Sequence, residues 1–256
     1  MLEMIPGRIG QLILLIVVLV AVAIGSRVAL KRKWKARAIS GIDKLDDWIK
    51  QTGQLKRSVF FSVGTAGVGS TDTLAALALL RYVAKLCVQN NVRLIIANSD
   101  LNVQQITEEI LKDAYTAAGK SDMYDVDSVR YMSGSIFAYA AGVMGLLRRE
   151  RPALNIFLGA FSAESLEVAE AGRSTAMYQF GGTSSIDQLP FFLATCDLTL
   201  LAGELYAAQS YLTNDPWDIS RTVGEDVGKT IAILLILAGT VLLSLGSDFI
   251  LNLLNL

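Results

Sequence analysis

The stretch from Ser58 to Asp72, SVFFSVGTAGVGSTD, constrains this chain more than any other, together with the apolar run Thr73 to Val88 behind it. Val59 to Val63 is rich in β-branched and aromatic residues, which suit a strand. Glycines follow at 64, 67 and 69, and Thr71 and Asp72 are residues that open helices. Strand, glycine turn and helix in that order begin an open α/β sheet. Such sheets place a ligand crevice beyond the carboxyl ends of their strands.

The unit recurs along the chain. An amphipathic helix is expected from Ile39 to Leu55, with Ile42, Leu45, Trp48 and Ile49 on one face. Further strands are expected at Val92–Ala97, Val129–Met132, Leu154–Leu158, Thr175–Phe180 and Asp197–Leu201. Between them the pattern predicts helices at Val103–Ala118, Ile136–Leu147, through Leu166 and Val168, at Asp187–Thr195 with Pro190 near its start, and at Leu205–Leu212. Gly181-Gly182-Thr183 reads as the stop of the fifth strand. The strands are apolar on both faces, which argues for an open, mostly parallel, Rossmann-like sheet of about six strands covered by helices.

Both ends of the chain are apolar, which accounts for a mean hydropathy of +0.45. From Ile9 to Leu30 only Gln11, Ser26 and Arg27 interrupt the run, and a second run extends from Thr230 to Leu245. About 20 apolar residues in a helix cross a bilayer core. The expected organisation is a transmembrane helix over 9–30, a basic juxtamembrane segment and linker helix over 31–57, a Rossmann-like domain over 58–213, a linker over 214–228, and a second transmembrane helix and tail over 229–251. For the second run a buried core helix is the competing reading.

Charge decides the orientation. Arg8 alone precedes the first run, whereas Arg27, Lys31, Arg32, Lys33, Lys35 and Arg37 follow it with no acid before Asp43. That order opposes a cleaved signal peptide, whose positive residues come first. It predicts an inner-membrane protein with a cytoplasmic domain and both termini outside. Lys31, Arg32, Lys33, Lys35 and Arg37 are the expected contacts to the lipid surface. Residues 41–228 hold 15 Lys+Arg against 22 Asp+Glu, so no nucleic-acid partner is expected.

The chain has no histidine, which removes the commonest general base and rules out an ordinary serine or cysteine triad. Cys87 and Cys196 lack metal-site spacing and read as buried free thiols. Three readings compete for Gly64 to Asp72. A phosphate-binding loop would need a lysine where Ser70 stands. A dinucleotide site would need an acid about 20 residues past the glycines, whereas Asp100 lies 31 past Gly69. The third reading is a tight turn that lets helix and sheet approach.

Asp72, Asp100, Glu164, Asp187 and Glu204 all follow strands and read as helix caps. Glu204 is the exception to watch: it could meet Thr183 or Asn98 across the rim and share an Mg²⁺. If the rim binds a ligand, its residues are Gly64, Thr65, Gly67, Gly69, Ser70, Asn98, Asp100, Gly181, Gly182, Thr183 and Glu204. No catalytic residue, metal site or cofactor is expected.

Taken together, Gly64-Thr-Ala-Gly67, Thr73-Leu-Ala-Ala-Leu, Ala138-Tyr-Ala-Ala-Gly142, Phe157-Leu-Gly-Ala-Phe161, Phe180-Gly-Gly-Thr183, Pro190-Phe-Phe192, Cys196-Asp197, Gly203-Glu204-Leu-Tyr206-Ala-Ala and Tyr211-Leu-Thr-Asn-Asp-Pro216 resemble a family of bacterial membrane proteins catalogued only as a domain of unknown function. The resemblance covers about residues 55 to 240. It implies a membrane-tethered α/β domain and lends no catalytic residues.

The expected function is a non-catalytic structural or assembly subunit in a homo- or hetero-oligomeric membrane complex. Ala21-x-x-x-Gly25 and Gly25-x-x-x-Ala29 offer a small-residue face for helix contact. The alternative is a membrane-tethered sensor of a nucleotide or metabolite at the glycine rim. An enzyme working through Asp or Glu on a bound cofactor ranks last.

Overall fold

A computed structural model describes residues 9–32, 39, 41–213 and 216–245. Lys33, Lys35 and Arg37 of the basic segment, the 214–215 turn and the 246–251 tail lie outside the described residues. The chain divides into two compact units, Met1–Ala36 with Asn214–Leu256, and Arg37–Thr213.

In the first unit, helices α1 (Ile9–Arg32) and α9 (Pro216–Ser244) pack against each other. They run antiparallel: a Cβ added at Gly25 would lie 2.9 Å from Val227, and one at Gly224 would meet Ser26 and Val22. The small-residue face of α1 is thus used inside the chain, where Gly25 admits a valine from α9. Within α9, Thr222–Ser244 is 23 residues long with a mean hydropathy of 2.1, long and apolar enough to cross a membrane. In α1 the apolar section Leu14–Val28 is shorter, and no clear second span emerges there. Within the expected linker over 214–228, α9 is helical from Pro216 on. A proline fits the first helical position, where its missing N–H is not needed.

The second unit is an α/β domain. Its strands are β1 (Val59–Gly64), β2 (Leu94–Asn98), β3 (Val129–Tyr131), β4 (Leu154–Ala160), β5 (Tyr178–Thr183) and β6 (Leu198–Leu201). All pairs are parallel, in the order β3-β2-β1-β4-β5-β6. The order reverses between β1 and β4, the doubly wound, Rossmann-like arrangement. Its helices are α2 (Lys44–Gln54), α3 (Thr71–Gln89), α4 (Leu101–Ala117), α5 (Ile136–Glu150), α6 (Ser165–Arg173), α7 (Leu189–Thr195) and α8 (Gly203–Thr213).

Apolar packing on both faces explains the unbroken hydrophobic strands. Val59, Phe61, Val63, Ile96 and Ile156 face a core completed by α2, α3, α4 and α8. Phe60, Ile95, Ala97 and Phe157 face a second core with α5, α6 and α7. Trp48 stacks on Tyr178 at 4.9 Å between ring centroids, and Tyr82 donates to Asp46, so α2 is pinned to sheet and helix alike. Tyr211 Oη donates to Asp43 at 3.0 Å, which brings the beginning and end of the domain together.

Several boundaries move for physical reasons. α2 starts at Lys44, not Ile39, because Ile39 and Ile42 are buried ahead of it around Gly41 at φ +82°. α5 runs on to Glu150 and ends at Arg151, whose left-handed φ of 44° precedes Pro152. β5 lies three residues later than expected. Gly181 and Gly182 do not stop it but sit inside it, because added Cβ atoms would meet Cys196 Sγ at 2.7 Å and Leu200 Cβ at 2.9 Å.

Candidate functional site

The carboxyl rim at the β1/β4 reversal is where this fold would seat a ligand. Here the two strands close on each other. Gly64 has φ +83° and Gly159 φ +132°, and neither has room for a side chain. Thr65 N donates to Ala160 O at 2.8 Å across the gap. Thr65 Oγ1 donates to Glu164 at 2.8 Å, and the same carboxylate accepts from Ser162 N at 3.1 Å. Glu164 is fully buried. Its side chain makes no capping bond to α6 and instead fastens the β1 loop to the β4 loop.

A second carboxylate does similar work one strand over. Asp72 is buried in the first turn of α3, where the residue at the N-cap is Ser70, not Thr71. Asp72 accepts from Ser184 N at 2.9 Å, Ser184 Oγ at 2.8 Å, Thr183 Oγ1 at 3.5 Å and the Tyr206 hydroxyl. It ties α3 to the β5 loop and to α8.

The remaining rim candidates scatter. Gly67 lies beside Asp100, whose Oδ2 would be 3.4 Å from an added Cβ. Asp100 is a true N-cap, accepting from Asn102 N and Val103 N. Ser99 Oγ donates to Gly64 O, so the first two connections touch. Asn98, by contrast, points away into α4, donating to Thr107 Oγ1 at 3.0 Å. Glu204 meets neither Thr183 nor Asn98: it accepts from Leu201 N at 2.9 Å and so ties the first turn of α8 to the end of β6. Thr183 belongs to Asp72 instead. Among the described residues no group of three or more Asp, Glu or Cys side chains is placed to hold a metal ion.

The amides of a phosphate cradle are partly spent as well. Gly64 N donates to Ser62 Oγ, Thr65 N to Ala160 O and Ser70 N to Gly67 O. Gly69 is different: an added Cβ would have nothing within 4 Å. Gly69→Ala is thus expected to shift stability by less than about 0.5 kcal/mol, as read from the thermal midpoint of the full chain. A larger loss would mean the glycine serves a ligand or a conformation that the packing does not require.

Beneath the rim, Tyr139 is buried and shares a 2.6 Å hydrogen bond with Ser62, and burial raises its pKa. Cys87 is free and buried, which pushes its thiol well above the ordinary range. Cys196 is also free but only half-buried, a correction to its expected burial. Burial pushes its thiol up to about 11. Neither is poised as a nucleophile, which would need a depressed pKa.

The contacts that close the rim join residues 99 to 134 positions apart. Ser162, Ser184 and Tyr206 were not singled out from the sequence. The only local signal was a carboxylate just after each strand.

A family model described as a domain of unknown function (DUF6754) matches residues 4–254. No curated protein and no solved structure matches the chain.

Proposed function

The chain belongs to that family of unknown function, and on this premise we propose that it is a membrane-anchored, non-catalytic structural or assembly subunit. The α/β domain packs into a larger membrane complex. The observation that carries this reading is the closed rim. Glu164 and Asp72 satisfy the polar groups that a ligand would otherwise meet, so the rim where this fold would seat a ligand serves its own cohesion.

The membrane part of the proposal has α9 and α1 as two spans of an inner membrane, with the domain cytoplasmic and both termini outside. Supporting it, Leu15, Leu19, Ile24, Leu234, Ile236 and Leu237 are exposed large apolar side chains in the helix pair. Without lipid or partner such a surface would be left in water. The cations at the end of α1, Lys31 and Arg32, and those that follow in the sequence carry the orientation.

The alternative is a sensor whose ligand sits on the glycine-rich rim, where Gly69 borders open space. One experiment weighs both. Full-length protein in mild detergent is expected to run as a multimer by light scattering, with a melting temperature indifferent to nucleotides, dinucleotides and Mg²⁺. A monomer at every concentration sinks the assembly reading, and a ligand-induced rise in melting temperature favours the sensor.

A further inference from the structure

Because every strand is parallel, one edge of the sheet gathers all the connections that leave strands, and the other gathers those that enter them. The two edges differ in kind. Residues 64–72, 98–103, 132–137, 160–167, 183–189 and 201–206 contain Asp72, Asp100, Glu164, Glu167, Asp187 and Glu204, and no lysine or arginine. The opposite edge has the larger share of cations: Lys56 and Arg57 precede β1, Arg93 β2, Lys120 β3, Arg148, Arg149 and Arg151 β4 and Arg173 β5, against Asp122, Asp125, Asp127, Glu150 and Asp197.

The acidic edge is also apolar. Each of its six connections exposes at least one large hydrophobic side chain: Val68, Leu101, Ile136 with Phe137, Leu166, Ile186 and Leu201. Ile186 is 80% exposed and Phe137 66%. Exposed apolar side chains repeated along one edge mark an interaction surface. Anionic lipid headgroups would be repelled by the carboxylates among them. The complementary charge lies on the basic edge of the same chain.

Position agrees with charge. The basic edge exposes Leu55 ahead of β1, Val126 ahead of β3 and Met177 ahead of β5. Ile186 and Met177 flank the two ends of β5, Phe137 and Val126 those of β3, and Val68 and Leu55 those of β1. Glu167 and Asp187 lie beyond β4 and β5, and the other ends of these two strands border a cleft of about 680 Å³ lined by Arg57, Arg148, Arg151, Ser174 and Thr175. In that cleft Arg57 is engaged by the carbonyls of Arg151, Pro152 and Thr175. Arg148 and Arg151 are exposed, and among the described residues neither is within ion-pair distance of a carboxylate.

We propose that the domain docks on a second copy of itself, carboxyl rim to basic edge, with Glu167 and Asp187 of one copy meeting Arg148 and Arg151 of the next. The inference rests on the assembly reading above and supplies its contact. Such an interface is heterologous, so repetition gives a ring or a filament instead of a closed two-fold dimer. Opposite charge fixes the register of the apolar contacts.

The test uses full-length protein in its membrane. A chain carrying Ile186→Cys is co-expressed with one carrying Met177→Cys under a different tag, and a thiol crosslinker is added. A product bearing both tags is expected, with none from either variant alone. Separately, Arg148→Glu with Arg151→Glu is expected to raise the dilution midpoint of assembly at least about tenfold. Glu167→Lys with Asp187→Lys in the partner chain restores it. Self-crosslinking of Ile186→Cys, or a product with a chain of another mass, overturns the arrangement. So does an unchanged midpoint in a folded charge-reversed variant. A wild-type multimer without the mixed product defeats this contact and leaves the assembly reading standing. A wild-type monomer at all concentrations defeats both.

Discussion

Gly64→Ala and Gly159→Ala are each expected to destabilise the α/β domain by about 3–5 kcal/mol, enough to consume much of a typical domain's 5–15 kcal/mol. Two costs combine. A non-glycine residue in the left-handed region pays about 1–2 kcal/mol; Gly64 sits at φ +83° and Gly159 at φ +132°. The larger cost is collision with backbone. A Cβ at Gly64 would lie 2.0 Å from Ala160 O, and one at Gly159 would lie 2.2 Å from Val63 O. A carbonyl in the central strand pair cannot swing aside as a side chain would. Relief requires β1 and β4 to separate and break the Thr65 N to Ala160 O bond. Hydrogen exchange of the β1 and β4 amides in the full-length protein measures the loss directly. Protection within about 0.5 kcal/mol of wild type would show that the strands part cheaply. The contrast with Gly69→Ala, in the same loop but in open space, separates steric need from glycine content.

Asp72→Ala is expected to cost about 3 kcal/mol, because it leaves Ser184 N, Ser184 Oγ and the Tyr206 hydroxyl without their acceptor. Each bond to a charged group is worth about 1.5–3 kcal/mol, and the sum is reduced because Ser184 and Tyr206 are only half-buried and water can replace part of it. Tyr206→Phe alone is expected to cost about 1 kcal/mol. In the Asp72→Ala background the same change should cost clearly less, since only the Thr71 hydroxyl at 3.3 Å then remains as a partner for Tyr206. Thermal melting of the four proteins of this cycle provides the check. Additive losses would mean that Tyr206 stabilises the domain by packing and that the carboxylate is not what holds α8 to α3. A cap, by comparison, would lose only helix-end stability, about 1 kcal/mol. The size of the Asp72 effect therefore distinguishes a capping acid from one that joins three elements.

Asp100 illustrates what is legible in the chain itself. Its spacing ahead of an apolar helical run marked a cap, and its carboxylate accepts from Asn102 N and Val103 N. Asp72 and Glu164 looked the same in sequence and do something different. Gly181 and Gly182 show the converse: after an apolar run glycine reads as punctuation, and in the fold it is packing space beneath Cys196, Phe192 and Leu200. At the chain ends the hydrophobic runs were plain. The helix ahead of the second run was not, because Pro216 to Val227 is polar enough to pass for a linker.

The sequence alone determined the alternation of strand and helix, the burial of strands on both faces, and the gathering of small residues and carboxylates after strands. All of these are properties of neighbouring residues, set by periodicity, turn chemistry and helix-end electrostatics. Only the tertiary structure decided that Thr65 would meet Glu164 and that Asp72 would meet Tyr206, closing the rim. Those pairings depend on which strand lies beside which. Strand order is chosen by the packing of whole elements, and the pattern within any one of them does not carry it.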